Sequence, residues 1–490
     1  MLLPTTPEPQ LRKPKTPPDH HDHEQQQQPE RRILVEEHKR SSFNSLSSFL
    51  LSPKSNPIQT QTRTCLVFSV ILFQLLLLIT VPFHRLRAPL AVATPRPSAA
   101  SVCPLGRLYV YDLPAAMNAD HVTEAVSNSG LGPSVGSSFS GVVPPELASS
   151  WYHTDQFSLE VIFHSRLLAH PCRTLSPENA TAFYVPFYAG LAVGPVLFAN
   201  DSSAADRDRH CDDMLKWLAD QPYFARSGGW DHFLAMGRIT WDFRRSSDGD
   251  WGSGCIYRPA MRNITRLLIE RNPWDYFDVG VPYPTGFHPG SNSDVVSWQE
   301  FVRSKPREVL FAFAGAPRRV IRDDFRGKLL RQCRDATGCR AVDCSGGRCN
   351  NGSSAILEAF LDAEFCLQPR GDSFTRRSVF DCMVAGAVPV LFWKRSVYYQ
   401  YEWFLPGGEG GGFSVFVDRE GVKNGTVNVA DVLGRIPTNE RRRMRERVVE
   451  LIPSIVYARD GSTGVRDALD VAVDSVFRRI KEQEEWDYKW

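Results

Sequence analysis

The segment from Gly371 to Ser378 concentrates the side chains of this sequence that could bind an anion. It reads GDSFTRRS, and its candidate ligands are Gly371, Ser373, Thr375, Arg376, Arg377 and Ser378. An apolar stretch precedes it, and a helix is predicted from about Ser378. A helix N-terminus offers unpaired backbone N–H groups and the positive end of a dipole. Because arginine can bridge two phosphate oxygens, this pattern predicts a phosphate site.

A second arginine-bearing loop follows another predicted strand. Its sequence, GAPRR, contains Gly315, Arg318 and Arg319. In open α/β sheets, ligands bind beyond the carboxyl ends of the strands, so both loops should meet at one crevice. Asp381 lies one helical turn beyond Arg377, where a carboxylate could accept hydrogen bonds from two ribose hydroxyls. The alternative is that these arginines form surface salt bridges.

Two Asp-x-Asp pairs are candidate metal ligands. They are Asp206 with Asp208 and Asp248 with Asp250. Such a pair can hold a divalent cation beneath a diphosphate, but neither pair ends an apolar strand. Both pairs are therefore interpreted as exposed polar sequence. No metal is predicted, and the arginines would supply the counter-charge for a leaving diphosphate.

Several polar and aromatic clusters could bind a sugar and remove a proton from its hydroxyl. Aromatic rings suit the faces of sugars, and Asp or His can act as a base. The candidate bases are His153, Asp155, Asp231 and His232. A buried hydrogen-bond network is the alternative for each cluster, and Asp155 could simply cap the helix predicted to follow it.

Strands alternating with helices predict an α/β architecture. Strands are predicted at 108–113, 182–187, 233–236, 309–313, 365–367 and 388–392, and helices from about 155, from about 378, at 438–451 and at 464–485. The segment 287–305 is the predicted hinge. It would separate an N-terminal acceptor-side domain (105–295) from a C-terminal ligand-binding domain (305–455), followed by a C-terminal helix within 464–490.

The N-terminal region predicts a single membrane anchor. Residues 65–83 are almost entirely apolar and approach the length needed to cross a bilayer, with a buried core helix as the alternative. The composition of residues 1–64 predicts a disordered cytosolic tail, and that of residues 84–104 predicts a stem. The charged fraction of 23% and formal net charge of +2 in 490 residues argue against a nucleic-acid binder.

Sequons and cysteines predict that the part of the chain after the anchor lies in the secretory lumen. Five sequons lie downstream of the anchor, at Asn179, Asn200, Asn263, Asn351 and Asn424. Ten of the eleven cysteines also lie there. The four that crowd together, Cys333, Cys339, Cys344 and Cys349, are predicted to form disulfides, with zinc as the alternative. Cys366 and Cys382 are predicted to be buried thiols.

Long segments of residues 105–480 resemble the plant exostosin-like glycosyltransferases of family 47, in the xyloglucan galactosyltransferase clade. The segments that carry the resemblance are SNSGLGP (127–133), WYHTDQFSLEVIFH (151–164), FYVPFYAGL (183–191), DHFLAMGRITWDFRR (231–245), PYPTGFHP (282–289), FAFAGAPR (311–318) and FCLQPRGDSFTRRSVFDCMVAGAVPVLF (365–392). The tail before the anchor most resembles the member that acts on the middle xylose.

The resemblance implies a GT-B fold, in which two Rossmann-like domains face a cleft. It implies inverting, metal-independent transfer from UDP-galactose to a xylose of xyloglucan in the Golgi membrane, with the catalytic part lumenal. Arg318 and either Arg376 or Arg377 would neutralise the diphosphate, Ser373 and Thr375 would hydrogen-bond it, and Asp381 would hold the ribose.

Three alternatives stay open at this point. The donor could be UDP-galacturonic acid or UDP-arabinose, or the chain could be a non-catalytic lumenal carbohydrate-binding protein. Complexes with other Golgi glycosyltransferases are a further expectation.

Overall fold

The first sheet has six parallel strands in the order β2-β1-β3-β4-β5-β6. Its strands are β1 Leu108–Val110, β2 Arg173–Thr174, β3 Ala182–Tyr184, β4 His232–Ile239, β5 Thr265–Glu270 and β6 Asp278–Gly280. The central strands β4 and β5 consist almost wholly of buried residues. Parallel strands covered by helices on both faces are expected to show such continuous burial.

The second sheet has five parallel strands in the order β11-β10-β9-β7-β8. Its strands are β7 Val309–Gly315, β8 Cys339–Asp343, β9 Ala363–Gln368, β10 Val388–Leu391 and β11 Val415–Phe416. The central pairs are in parallel register, with Phe311 opposite Phe365 and Leu391 opposite Gln368. Because β7 and β9 are neighbours, the loops that follow them leave the same edge of the sheet side by side.

Helices connect the strands and follow the second sheet. They are α1 Leu159–Leu168, α2 Ala189–Phe198, α3 Ala204–Ala219, α4 Pro222–Ser227, α5 Asn292–Ser304, α6 Phe325–Asp335, α7 Ser354–Leu361, α8 Ser378–Val384, α9 Arg419–Lys423, α10 Val429–Gly434, α11 Thr438–Ile455 and α12 Ala468–Asp487. The α/β architecture predicted from the sequence is confirmed.

The computed structural model describes residues 103–487 apart from 123–138, 140, 156, 319–320, 322–323, 348, 350–353 and 463. The predicted cytosolic tail, the predicted anchor at 65–83, nearly all of the stem and Asn351 lie outside these residues. Within the described part of the chain, no helix is both long enough and apolar enough to cross a membrane.

The predicted hinge at 287–305 is mostly helical. Ser291 caps α5 by accepting a hydrogen bond from the backbone N–H of Asp294, and Trp298 is fully buried. The Trp298 Nε1 donates to the backbone carbonyl of Val384 at 2.8 Å. The polar Ser and Asn residues that suggested a hinge are thus the start of a helix, and this helix packs against α8 and α11.

The C-terminal end of α11 also differs from the prediction, while its first residue agrees. The helix continues to Ile455, past Pro453, rather than closing at Leu451. Its N-cap residue is Pro437, and Thr438 is the first helical residue. The extra turn buries Ile452 and Ile455. This burial offsets the loss of the backbone hydrogen bond that Pro453 cannot donate.

Five disulfide bonds join the ten cysteines of the described region. The pairs are Cys103–Cys172, Cys211–Cys255, Cys333–Cys339, Cys344–Cys349 and Cys366–Cys382. Pairing within the crowded cluster is confirmed. The prediction of free thiols at Cys366 and Cys382 is wrong: both are buried as expected, but β9 lies against α8 and brings the two sulfurs together.

The two sheets pack as parts of one unit comprising residues 99–490. Tyr401, beyond β10, donates its hydroxyl to the backbone carbonyl of Ile269 in β5 at 2.8 Å. Tyr457, after α11, donates to the carbonyl of Pro282 at 2.9 Å. The carboxyl end of the first sheet therefore contacts the second half of the chain directly.

Candidate active site

The loop of residues 371–377 joins the carboxyl end of β9 to α8 and folds tightly on itself. A Cβ atom placed on Gly371 would lie 2.3 Å from the carbonyl oxygen of Thr375, so only glycine fits. Ser378, the first residue of α8, donates its hydroxyl to the Gln368 side chain at 2.8 Å. The loop's conformation is therefore fixed at both ends, and we name residues 371–377 the donor loop.

Three arginine side chains converge beside the donor loop. The Arg376 Nη2 donates to the carbonyl of Ala314 near the end of β7 at 3.0 Å. Arg318 donates to the carbonyl of Gly371, and the Arg326 Nη2 donates to that of Arg370 at 3.1 Å. The predicted meeting of the two arginine loops at one sheet edge is confirmed.

The electrostatics of these three arginines indicate a site for an anion. Burial and the neighbouring charges of Arg326 and Arg318 lower the pKa of Arg376 to about 9. Burial and the charge of Arg318 lower the pKa of Arg326 to about 10. An anion bound among the guanidinium groups would relieve both the desolvation and the mutual repulsion.

Arg326 was not singled out by the sequence, although it belongs to this cluster. It is the second residue of α6, and Asp324 caps that helix by accepting from the backbone N–H of Arg326 and Gly327. The same carboxylate accepts from the backbone N–H of Arg318 at 2.7 Å. Asp324 thus ties the loop after β7 to the start of α6 and positions both arginines. An Asp immediately before the start of a helix is the N-cap signal that could have identified this arrangement.

Arg377 points away from the arginine cluster. It donates through Nη1 to the backbone carbonyl of Thr154, and its Nε lies 3.3 Å from the Asp381 carboxylate. Burial raises the pKa of Asp381, which shares a small cavity with Trp151, Thr285 and Arg377. Of the two arginines left open by the sequence, Arg376 is the one beside Arg318. The ribose role of Asp381 stays a prediction, and its carboxylate is paired with Arg377 here.

The Ser373 and Thr375 side chains are both engaged by one carboxylate. Ser373 donates to Oε1 of Glu270, while the backbone N–H and hydroxyl of Thr375 donate to its Oε2 at 2.8 and 2.7 Å. The sequence predicted that these hydroxyls bind phosphate. In this structure they bind Glu270 at the end of β5 instead. These residues are far apart in the sequence, so no local pattern could show the contact.

His153 and Asp155 flank the residue that Arg377 contacts. Both are half-buried, and His153 packs on Phe139 with ring centroids 5.3 Å apart. The Asp155 Oδ1 accepts from the backbone N–H of Phe157 at 2.6 Å, which forms the turn ahead of α1. Because the Thr154 carbonyl accepts a hydrogen bond from Arg377, both candidate bases lie next to the end of the donor loop that leads into α8.

Asp231 and His232 are not placed to act as a base in this site. They lie at the amino end of β4, away from the carboxyl edge of the first sheet that contacts the donor loop, and His232 is 0% exposed. Asp231 bonds to the His232 Nδ1 at 2.6 Å and to Arg226 at 2.8 Å, while the Tyr111 hydroxyl lies 3.0 Å from Nε2. The prediction of a catalytic role is therefore corrected to a buried structural network.

The Asp-x-Asp pairs are occupied by neighbouring groups. Asp206 forms a capping box with Ser203 at the start of α3. Asp208, predicted to be exposed, is 3% exposed and accepts from Arg245 and from Arg258. Asp248 pairs with Arg245 at 2.7 Å. The described residues contain no group of three or more acidic, His or Cys side chains that could hold a metal ion.

Four of the predicted glycosylation sites lie within the described residues, and all four are exposed: Asn179, Asn200, Asn263 and Asn424. Exposure is the condition that a glycan requires, and attachment itself stays a prediction.

Glu160 is a fully buried carboxylate near the carboxyl edge of the first sheet. It accepts from the backbone N–H groups of Gly190, Leu191 and Gly237 at 2.6, 3.2 and 2.8 Å. Burial raises its pKa from 4.5 to about 7, even though these hydrogen bonds act in the opposite direction. Glu160 thereby joins α1 to the start of α2 and to β4.

Glu160 is expected to make stability fall as pH rises. Between pH 4.5 and about 7 the folded protein holds a proton on Glu160 that the unfolded chain has lost. The free energy of unfolding should therefore decrease over this window, by up to about 3 kcal/mol at about 1.4 kcal/mol per pH unit. Denaturant unfolding at about pH 5 and about pH 8 measures the decrease in the wild type and in Glu160→Gln, which cannot ionise. Equal pH dependence in the two proteins would contradict the assignment.

Comparison with known proteins identifies the family. The exostosin GT47 domain matches residues 103–433. The xyloglucan galactosyltransferase XLT2 of Arabidopsis thaliana is 52% identical over 532 aligned residues, which cover 99% of each chain.

Two further relatives from the same plant match a smaller share. Xyloglucan-specific galacturonosyltransferase 1 is 40% identical, with 76% of this chain and 57% of the relative covered. Xyloglucan galactosyltransferase MUR3 is 38% identical, with 76% of this chain and 62% of the relative covered. The domain match spans both sheets up to α10, including every arginine of the cluster. The chain therefore belongs to the exostosin GT47 family.

Proposed function

We propose that this chain is an inverting glycosyltransferase of the GT-B type that transfers galactose from UDP-galactose to a xylose side chain of xyloglucan. One structural observation carries the nucleotide-sugar part of the proposal. The Nη1 of Arg376 is shielded from solvent and has no hydrogen-bond partner among the described residues. A buried charged donor without a partner is costly, and a phosphate oxygen of the donor would satisfy it.

The chemistry assigned to the arginine cluster is stabilisation of the leaving group. As the bond from the sugar to UDP breaks, negative charge develops on the diphosphate. Arg318, Arg326 and Arg376 are already held by backbone carbonyls, so they can stabilise that charge without first reorganising. In this proposal these cations provide the counter-charge, and no metal is needed.

The acceptor side of the reaction requires a base. His153 or Asp155 would remove the proton from the attacking xylose hydroxyl while the hydroxyl oxygen displaces UDP from the opposite face of the sugar. Their position beside Thr154, which Arg377 contacts, supports this assignment. Inversion at the anomeric carbon follows from this single displacement.

The identity of the sugars rests on the relatives. The protein XLT2, which is 52% identical over nearly its whole length, is named as a xyloglucan galactosyltransferase. We further propose, from the family resemblance, that the enzyme lies in the Golgi membrane, with residues 65–83 as the anchor and the described part in the lumen. The disulfides and the exposed sequons support a lumenal location.

UDP-galacturonic acid is the second candidate donor. A relative named as a xyloglucan-specific galacturonosyltransferase is 40% identical to this chain over 380 residues. The two donors differ only at C6 of the sugar, so the same diphosphate site would serve both. A nearby cation would be needed to favour the uronic acid.

The test is a transfer assay with several donors and a chelator. The lumenal part is incubated with xylosylated glucan oligosaccharides and, separately, UDP-galactose, UDP-galacturonic acid or UDP-arabinose, each with and without EDTA. We expect galactosyl product from UDP-galactose at the same rate with EDTA. Product from UDP-galacturonic acid alone would select the second donor. Loss of activity in EDTA would contradict the metal-independent chemistry, and no product from any donor would refute the proposed activity.

A further inference from the structure

Glu270 is a buried carboxylate that reaches from the first sheet to the donor loop. It is the last residue of β5 and is 3% exposed. Its two carboxylate oxygens accept three hydrogen bonds, all from Ser373 and Thr375 of the donor loop. Glu270 therefore connects the acceptor-side sheet with the loop that presents Arg376.

The hydrogen bonds around Glu270 form a chain with a defined direction. The Thr375 hydroxyl donates to Glu270 and lies 2.9 Å from the hydroxyl of Tyr283, which can donate to it in turn. Tyr283 is itself buried, in the segment after β6. The first sheet thus holds Thr375 through two side chains, and Arg376, the next residue, is turned toward Ala314 on the second sheet.

The burial of Glu270 shows that it does not act directly on a substrate. Burial raises the pKa of its carboxyl group, against the effect of the Ser373 and Thr375 hydrogen bonds. Each oxygen already accepts at least one hydrogen bond from the donor loop, and nearly all of the side chain is shielded from solvent. A group in this position can fix its partners, but an acceptor hydroxyl cannot reach it.

We propose that Glu270 is a positioning residue for donor binding, and that it holds the donor loop in the shape that lets Arg376 contact the diphosphate. This inference rests on the proposed function. It also reassigns Ser373 and Thr375: their hydroxyls position the loop through Glu270, and the arginines supply the contacts to phosphate. Because Glu270 belongs to the first sheet, the donor site is complete only when both sheets are in contact.

The effect of removing Glu270 follows from its contacts. Glu270→Ala leaves two hydroxyls and a backbone N–H without their acceptor and frees the loop to move. Glu270→Gln keeps the side-chain volume and can keep a carbonyl oxygen facing the Thr375 N–H and hydroxyl, while the Ser373 hydroxyl can rotate to accept from the amide N–H. The alanine variant should therefore weaken UDP binding by about tenfold or more, and the glutamine variant by less.

The experiment measures UDP affinity by calorimetry and the KM values for donor and acceptor in the full-length enzyme. For Glu270→Ala we expect about a tenfold rise in the UDP dissociation constant and in the donor KM, with the acceptor KM within about twofold of wild type. Glu402→Ala is the matched control. It removes a salt bridge to Arg271 that joins the segment after β5 to the segment after β10 but does not touch the donor loop.

The possible outcomes separate the two ideas. If wild type and Glu270→Ala bind UDP equally, the positioning role is wrong while the proposed function stands. If donor and acceptor KM rise together in Glu270→Ala, or if Glu402→Ala has the same effect, the residue serves only general packing and the inference fails. If the wild type does not bind UDP, the proposed function is refuted and the inference with it. Should Glu270→Ala not fold, Thr375→Val removes one of the three hydrogen bonds and should raise the donor KM in the same selective way.

Discussion

Replacing Arg376 with alanine is expected to lower kcat for transfer by about 100-fold to 1,000-fold, the usual cost of removing one charged donor from a site of developing negative charge. Arg376 is held against the Ala314 carbonyl and has a buried Nη1 that lacks a partner in the described structure. Its pKa of about 9 leaves it charged at neutral pH. The change removes the donor that best fits an oxygen of the leaving diphosphate.

The measurement compares kcat, the donor KM and the UDP-dependent rise in melting temperature. A ligand that binds only the folded state raises the melting temperature by an amount that grows with the ratio of its concentration to its dissociation constant, so Arg376→Ala should reduce this rise at a fixed UDP concentration. Arg443→Ala is the control, because Arg443 is 74% exposed on α11 and, among the residues that the structure describes, its ion pair is with Glu440 one helical turn away. If Arg376→Ala retains wild-type kcat and UDP response, the arginine cluster is not the diphosphate site.

Arg376→Lys adds a test of geometry. Lysine keeps the charge but cannot donate to the Ala314 carbonyl and to a phosphate oxygen with the planar fork of arginine. We expect it to restore less than about a tenth of the wild-type kcat. Full activity in the lysine variant would show that charge alone suffices at this position.

The arginine loops could be predicted to meet because their position depends only on topology. Both follow strands of one parallel sheet, and the ends of such strands share an edge. The sequence therefore indicates Arg318 and the pair Arg376 and Arg377, and the structure shows that Arg376 is the one of the pair beside Arg318. Arg326 was missed because it lies in a polar stretch without a motif, and it joins the cluster only through the cap that Asp324 places on α6.

The same topological rule would have excluded Asp231 and His232. Asp231 precedes β4 and His232 is its first residue, and the amino end of a parallel strand lies at the edge away from the ligand. Residue type suggested a base, whereas position in the sheet decides against it. The disulfide between Cys366 and Cys382 could not have been predicted from such a rule. Their apolar surroundings predicted burial correctly, but the proximity of the two sulfurs depends on how α8 packs on β9.

Glu270 was the hardest site residue to predict, because its partners are more than a hundred positions away in the chain. At the end of an apolar strand, a glutamate fits equally well as a solvent-exposed terminus. Only the packing of the two sheets shows that the carboxylate is buried and bound to Ser373 and Thr375. The sequence therefore indicates the phosphate-binding groups more readily than the residues that hold them in place.

Replacing Gly371 with alanine is expected to disable the donor loop without unfolding the protein. The new Cβ would lie 2.3 Å from the Thr375 carbonyl oxygen and 3.1 Å from the Arg376 Cγ. The carbonyl belongs to the backbone and cannot swing aside as a side chain can, so the loop must open. That movement displaces Arg376, and a shift of about 1 Å at a positioned group can cost about 100-fold in rate.

Assays of Gly371→Ala should show kcat/KM reduced by about 100-fold and a weaker UDP-dependent rise in melting temperature. The melting temperature without UDP should change little, because the loop lies at a sheet edge and the substitution removes no core side chain. Gly434→Ala is the matched control, since a Cβ at the end of α10 meets no heavy atom within 4 Å. Wild-type kcat/KM in Gly371→Ala would show that the closed loop is not the active one. A large fall in melting temperature without UDP would instead show that Gly371 serves the stability of the fold.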